Sequence, residues 1–409
     1  MRKNLKLLLL ALVLSLALFT ACQKAETKPT EEITAKAPET EPETKNEEKA
    51  EEKVEIDEET GLEIESEIEL KYAKSFKLEN LSQGVIKFTD VEDRVVYMVP
   101  EGVELENKDL NTLKVPVNNI AIFSTVDATT LRPIDELDKI VAVTTKLESW
   151  RIPEVKERME QGEIQFLGSK NAIDYELLES VAPDVVMFTY ENLDRTPIII
   201  GQLNDLGINW VGVSNHMEDD PRARLEWVKL SGVLTGKLEE AEKYFDEQVA
   251  KISAVEEKIK GETNRPTFAS VFMSKDIFYV RNAGDYNVKM LELAGGDYIF
   301  KDLNPDKNGN TKMNAEEFYK GAKPAEFILY DAAGAPSIQS TQQLVEYADF
   351  LEDLEAIKAN KVWATKRHYY QSADKVADMI EELHLILQSE PGELTETEHF
   401  YLFSLGGEE

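Results

Sequence analysis

Cysteine and histidine are scarce in this chain. Its 409 residues include one cysteine, Cys22, and four histidines. One cysteine excludes an intramolecular disulfide, and so few histidines argue against a metal site built from three of them. The sequence also lacks a Gly-x-Ser-x-Gly elbow, a His-Glu-x-x-His motif and a Walker loop. We therefore expect a protein that is not an enzyme and that has neither a cofactor nor a resident metal.

Basic residues are few relative to acidic ones. The chain has 46 Lys and Arg against 79 Asp and Glu, which gives a formal net charge of −33. A surface this acidic repels phosphate backbones and anionic lipid head groups. Nucleic acid is therefore not an expected partner, and membrane attachment is not expected to come from a basic patch.

The N-terminus carries the pattern of an exported lipoprotein. Arg2 and Lys3 precede an apolar run from Leu5 to Leu18, and Cys22 follows shortly after. The run is shorter than the ~20 apolar residues of a spanning helix, but it suits the apolar part of a secretory signal. We predict a signal peptide over 1–21 and lipidation of Cys22, which would hold the protein on the outer face of the cytoplasmic membrane.

The next segments differ sharply in composition. Residues 22–65 are rich in Glu, Lys, Thr and Pro, and no aromatic residue occurs in them. Such a segment cannot bury enough apolar surface to offset the entropy of ordering, so we predict an acidic tether. Residues 66–115 contain alternating apolar and polar runs, which predict a β-rich extension.

From residue 116 onward, β-branched apolar runs alternate with helical patterns. This alternation predicts an α/β protein with parallel sheets covered on both faces. It stops between 219 and 260, where apolar residues recur at helical spacing and predict one long helix, or two nearly collinear ones. We expect an N-terminal lobe over 116–218, a connecting helix over 219–260, a C-terminal lobe over 261–389 and an acidic tail over 390–409.

Residues 306–317 could alternatively be interpreted as a calcium-binding loop. Oxygen-bearing side chains in residues 306–317 occur at positions typical of an EF-hand loop, and Glu317 stands at position 12. Thr311, however, replaces the glycine that the sharp turn requires. We therefore favour an ordinary loop and helix here.

A collinear set of segments resembles the solute-binding lipoproteins of ABC importers, in the helical-backbone subgroup that handles iron-siderophores, haem and cobalamin. The match is strongest in the helix, Pro-Asp, strand pattern of residues 175–186 and in the Leu-Gly-Ile of 206–208. The remaining segments follow in the same order and cover residues 230–237, 279–281, 293–296 and 362–364.

The resemblance implies two Rossmann-like lobes joined by a single long interdomain helix, with the ligand in the cleft between them. It implies capture of a metal chelate or a corrinoid, whose iron or cobalt belongs to the ligand, and delivery by a monomer to a permease and its ATPase. Two alternatives remain open: a receptor for a molybdate-type oxyanion, and a surface-anchored adhesion or sensor module on the same fold. By position in the family pattern, Glu176 would dock on the permease, together with Glu317 or its neighbour Glu316 in the second lobe.

Ligand residues are expected where loops follow strand ends, because these positions face the cleft of an open α/β sheet. Aromatic rings and arginines are the side chains that grip planar or chelated anionic ligands. The candidates are Trp150, Arg151, Tyr190, Arg195, His216, Arg281, Tyr286, Tyr330 and His368, the last with its neighbours Tyr369 and Tyr370.

Overall fold

The computed structural model of the chain describes residues 54–190 and 196–404. These residues belong to one compact unit. The predicted signal peptide, Cys22, most of the tether and Arg195 lie outside the described residues.

The first described part is a five-stranded sheet. Its strands, in their spatial order, are β1 (Ile64–Glu67), β2 (Phe76–Leu81), β3 (Val85–Asp90), β4 (Val95–Pro100) and β5 (Thr112–Val115). The pairings are antiparallel up to β4, and β5 runs parallel to β4. Phe76, Leu78 and Phe88 on one face join the core of the following lobe, so this sheet packs directly on it.

The first lobe is built on a five-stranded parallel sheet. Its elements are β6 (Ile120–Ile122), α1 (Thr125–Leu131), β7 (Ile140–Val143), α2 (Pro153–Glu160), β8 (Gln165–Phe166), the short hairpin β9 (Gly168–Ser169) and β10 (Ala172–Ile173), α3 (Tyr175–Val181), β11 (Val185–Thr189), α4 (Thr196–Asp205) and β12 (Trp210–Val213). The strand order is β12-β11-β6-β7-β8. Successive residues of β11 belong to two different cores, Val185 and Met187 to one and Val186 and Phe188 to the other. Both faces are therefore covered, as parallel sheets require.

Three helices, not one, follow this sheet: α5 (Pro221–Glu226), α6 (Val228–Thr235) and α7 (Leu238–Lys258). Gly236 ends α6 in the left-handed region at φ 76°. A Cβ placed on Gly232 would lie 2.7 Å from the Cβ of Ala241, whereas nine residues of a straight helix span about 13.5 Å. The chain therefore turns back at Gly236. The prediction of one helix, or two nearly collinear ones, over 219–260 is wrong.

Two buried glutamates, Glu226 on α5 and Glu218 just before it, hold the segment between β1 and β2. Glu226 accepts backbone N–H bonds from Lys71, Tyr72 and Ala73 at 2.8–2.9 Å and pairs with Lys229 at 2.9 Å. Glu218 accepts the N–H groups of residues 74 and 75. The N-terminal sheet is thus tied to the connecting helices as well as to the first lobe.

The second lobe contains a seven-stranded mixed sheet. Its elements are β13 (Thr267–Ser274), β14 (Ile277–Arg281), α8 (Tyr286–Leu293), β15 (Asp297–Tyr298), β16 (Asn310–Met313), α9 (Ala315–Ala322), β17 (Phe327–Tyr330), α10 (Thr341–Tyr347), α11 (Glu355–Lys358), β18 (Val362–Thr365), α12 (Val376–Gln388) and β19 (Phe400–Leu402). The strand order is β16-β14-β13-β17-β18-β19, with β15 beside β13. The strand β19 falls in the stretch that the sequence predicts only as an acidic tail.

Residues 306–317 do not form an EF-hand loop. Residues 310–313 are the strand β16, which pairs with β14. Asn314 caps α9, and the Glu317 carboxylate accepts a hydrogen bond from the Asn314 N–H. The side chains that the calcium reading requires therefore serve a strand and a helix cap. Within the described ranges, no group of three or more His, Cys, Asp or Glu residues could hold a metal ion.

Candidate functional site

A cavity of about 200 Å³ lies between the two lobes. The first lobe contributes α1 and the loop after β12, and the second contributes α8, α12 and the loop after β18. Most of its wall is aliphatic or aromatic, and four tyrosines border it: Tyr244, Tyr286, Tyr369 and Tyr370. The polar lining includes His216, Arg224 and Asp374. Such a wall suits a ligand with a flat apolar body and a charged group.

Arg224 is the arginine of this cavity wall. Its guanidinium carbon lies 3.3 Å from the centre of the Tyr286 ring, which places the cation on the aromatic face. Its Nε donates to the carbonyl of Glu218 and its Nη2 to the carbonyl of His216, each at 2.9 Å. Burial lowers the pKa of Arg224 below its ordinary value, because desolvation disfavours the charged form.

A second arginine forms a polar cluster next to the cavity. Arg281, the last residue of β14, pairs with Asp331 at 2.6 Å. Tyr370 donates to the same Asp331 carboxylate and accepts from Arg281. Burial disfavours the charged form of Arg281, but the electrostatic effects of Tyr370 and of two nearby aspartates prevail and raise its pKa. The cluster fixes Tyr370 in the cavity wall.

Contacts across the cleft connect the two lobes at its edge. Gln371 donates from Nε2 to the Ser149 carbonyl at 2.8 Å and accepts from the Arg151 N–H at 2.7 Å. Arg132, which follows α1, makes an ion pair with Asp374, which precedes α12. These contacts join the two lobes at the edge of the cavity.

The structure brings together only some of the predicted ligand residues. His216, Tyr286, Tyr369 and Tyr370 line the cavity, and Arg281 touches it through Tyr370. Arg151 lies exposed at the edge, where its backbone contacts Gln371.

Other candidates lie elsewhere. Trp150 and Tyr330 are 1% and 0% exposed and belong to the cores of the first and second lobes, so neither ring lines the cavity. The Tyr190 hydroxyl bonds to Asp90 on the N-terminal sheet. His368 packs near His399, with ring centres 5.3 Å apart. Arg195 lies outside the described residues.

Arg224 and Tyr244 were missed by the sequence reasoning. Both residues belong to the connecting helices, whereas the predicted ligand residues are those expected in loops at strand ends. The sequence does hold an indication for Arg224. Arginine is scarce in this chain, and Arg224 stands directly before Leu225 and close to Val228, on an apolar helix face.

The predicted docking residues are placed on the surface. Glu176 is exposed on α3, just after the cap residue Asp174. Glu317 is exposed on α9, where it is also part of the capping box. Among the helices of the described residues, none is long and apolar enough to cross a membrane.

A larger open groove, of about 1150 Å³, lies between the N-terminal sheet and the first lobe. Arg94 stacks 3.6 Å over the Trp210 ring in its wall and donates to the Trp210 carbonyl. Arg94 and Trp210 in the groove wall thus already contact each other. Apart from His216, the groove shares no lining residue with the cavity between the lobes. We therefore take the cavity between the lobes as the candidate site.

Two α/β lobes with a cavity between them define a two-lobed binding protein. Residues 120–369 match the family model described as periplasmic binding protein. This match spans more than half of the chain, so the chain belongs to the periplasmic binding protein family.

Individual relatives agree with this family. The chain is 26% identical over 301 residues to the uncharacterized lipoprotein MJ0878 of Methanocaldococcus jannaschii, covering 72% of this chain and 70% of the relative. The periplasmic haem-binding protein HutB of Vibrio cholerae matches with a TM-score of 0.55 at 12% identity, over 66% of this chain and 99% of that one. The petrobactin-binding protein YclQ of Bacillus subtilis matches with a TM-score of 0.54 at 12% identity, over 68% and 94%. At these identities the two structures show the fold alone.

Proposed function

We propose that this chain is the substrate-binding lipoprotein of an ABC importer. It captures a metal chelate, such as an iron-siderophore or haem, or a cobalamin-type corrinoid, and it delivers this ligand to the permease. The observation that carries the proposal is the tyrosine-lined cavity between the lobes, with the cation of Arg224 in its wall. Family membership and the ligands named for HutB and YclQ support the same class of cargo.

Binding in this proposal is noncovalent. The aromatic rings bury the apolar surface of the ligand, and the arginine and hydroxyl groups orient its charged or chelating groups. Because pockets for drug-sized ligands are roughly 300–1,000 Å³, a whole chelate exceeds the closed cavity of about 200 Å³. The contacts of Gln371 and Asp374 across the cleft therefore loosen when a large ligand enters.

The protein works as a monomer on the outer face of the cytoplasmic membrane, anchored by lipid on Cys22. The lipoprotein name of the Methanocaldococcus relative supports this location. Glu176 and Glu317 present negative charge to the permease, one from each lobe. The energy of import comes from the partner ATPase.

A receptor for a small oxyanion is the second candidate function. It is favoured by one observation, that the Arg224 guanidinium forms no ion pair with a carboxylate anywhere in the described residues. An anion of the ligand would supply the missing charge.

Native mass spectrometry with an absorbance spectrum tests the proposal. The full chain is purified in detergent from its own source, or incubated with ferric siderophores, haem and cobalamin. We expect a bound mass that contains iron or cobalt, together with the absorbance of the coloured ligand. If molybdate is bound instead, the oxyanion receptor is favoured. If no ligand is found, either on the protein from its own source or after incubation, the adhesion or sensor module is favoured.

A further inference from the structure

The Arg224 guanidinium makes no ion pair with a carboxylate of the described residues, although the charge of Asp285 acts on it from a longer distance. Two of its nitrogens donate to the carbonyls of Glu218 and His216, and its Nη1 makes no hydrogen bond to any described residue. A partly buried cation without a directly paired carboxylate is unfavourable. By contrast, Arg222, two residues earlier on the same helix, pairs with both Asp220 and Glu256.

The size and wall of the cavity limit what could supply the counter-charge. At about 200 Å³ it is close to an engineered cavity of about 150 Å³ that holds one benzene ring. Val126, Val228 and Met379 give it an apolar body, and the tyrosines offer ring edges and faces for stacking. Asp374, which also lines the cavity, is already paired with Arg132. The cation of Arg224 therefore gives the site a positively charged group beside its apolar surface.

We propose that this cavity binds a one-ring aromatic carboxylate, with the carboxylate on the Nη1 side of Arg224 and the ring among the tyrosines and aliphatic side chains. This inference deepens the proposed function and rests on it. The aromatic acid can be the free ligand, or it can be a group carried by a larger chelate whose remainder lies at the edge of the cleft.

Benzoate and benzamide are suitable probes, because they have the same ring and nearly the same shape but differ in charge. Isothermal titration of the full chain measures the affinity for both. We expect benzoate to bind about tenfold to hundredfold more tightly, as a hydrogen-bonded charge contributes roughly 1.5–3 kcal/mol.

Three variants assign the effect to Arg224. Arg224→Gln should remove the preference for benzoate and leave benzamide binding nearly unchanged. Arg224→Lys should retain part of the preference, because it retains the charge. Arg222→Gln is the matched control and should bind both probes like the unmodified protein, with thermal unfolding confirming that all three variants are folded.

Equal binding of the two probes, no binding of benzoate at millimolar concentration, or equal effects of the Arg224 and Arg222 variants would overturn the inference. A chelate that binds equally well to the Arg224→Gln variant would overturn it too, but would leave the proposed receptor function standing. Native mass spectrometry of the protein from its own source distinguishes the two forms of the ligand, since a free acid adds mass without metal and a chelate adds iron or cobalt.

Discussion

Arg281 and Asp331 form a buried ion pair that supports the cavity wall. Their side chains are 10% and 8% exposed and lie 2.6 Å apart. Removing one partner of such a pair leaves the other charge buried and unpaired, which costs more than the pair itself contributes. The pair is therefore expected to matter for stability and for the position of Tyr370.

Asp331→Asn tests this role. We expect the free energy of unfolding to fall by about 1–3 kcal/mol, because the guanidinium loses its nearest counter-charge and keeps the longer pair with Asp285 at 3.6 Å. Urea unfolding measures this change. Asp297→Asn is the control, since its pair with Lys301 is exposed and its loss should cost no more than about 1 kcal/mol. Equal effects of the two substitutions would contradict the buried role.

At this scale, three of the residues expected at strand ends lie in the cavity wall or next to it. His216, Arg281 and Tyr370 were predicted because strand ends face the cleft of an α/β sheet. Trp150 occupies a similar position, but its indole N–H bonds to the Thr145 carbonyl and the ring points into the core. Whether a ring turns inward or outward depends on packing between distant segments, which spacing along the chain does not reveal.

At the scale of elements, the turn at Gly236 decides the course of the chain. The approach of α6 and α7 depends on the absence of a side chain at Gly232, where a Cβ would also lie 2.9 Å from the Lys237 carbonyl oxygen. The helices pack around this point, so Gly232 is required by close contact, whereas Gly236 is required by the left-handed φ of the turn.

Gly232→Ala should therefore be destabilising by about 1–3 kcal/mol, the usual cost of overpacking. Gly201→Ala on α4 is the matched control, because a Cβ there meets nothing within 4 Å. In a helix, alanine should then be neutral or stabilising by up to about 1 kcal/mol. Thermal unfolding of both variants is the measurement, and a neutral Gly232→Ala would argue against the close packing of α6 on α7.

The hydrogen bonds that fix residues 69–75 to the connecting helices are a second feature at this scale. Glu226 is fully buried, and its carboxylate joins three backbone N–H groups to Lys229. Glu226→Gln leaves Lys229 without its charge partner, and we expect a loss of about 3–5 kcal/mol in urea unfolding.

The control for this variant is Glu247→Gln, which removes an exposed charge on α7. It should change stability by no more than about 1 kcal/mol. If the two substitutions had the same effect, Glu226 would not anchor the N-terminal sheet.

Several strands of the sheets could be predicted from sequence, whereas the connecting helices could not. The β-branched runs at 120–122, 185–189 and 362–365 are short, apolar and bounded by turn signals, which is the pattern of buried strands. Over 219–260 the apolar spacing is helical on both sides of Gly236, so periodicity alone does not distinguish a straight helix from one that folds back.

For the whole molecule, the proposed delivery step requires recognition by a permease. Glu176 lies exposed on α3 of the first lobe and makes no ion pair with another described residue. Glu176→Arg should weaken binding to the permease by about tenfold, because the proposed docking contact depends on the negative charge that Glu176 presents to the permease. Glu157→Arg, an exposed reversal on α2, should have no such effect. Equal affinities for the two variants, measured with the permease in detergent, would count against docking through Glu176.

The central claim is that the cavity between the lobes holds the ligand. Ala373→Trp would place a large ring in a cavity of about 200 Å³, whereas Ala254→Trp on the exposed side of α7 would leave it open. The direct measurement is the affinity of the unmodified chain and of both variants for ferric siderophores, haem and cobalamin. We expect that one of these ligands binds, that Ala373→Trp abolishes its binding and that Ala254→Trp does not. Undiminished binding by a folded Ala373→Trp variant would contradict it.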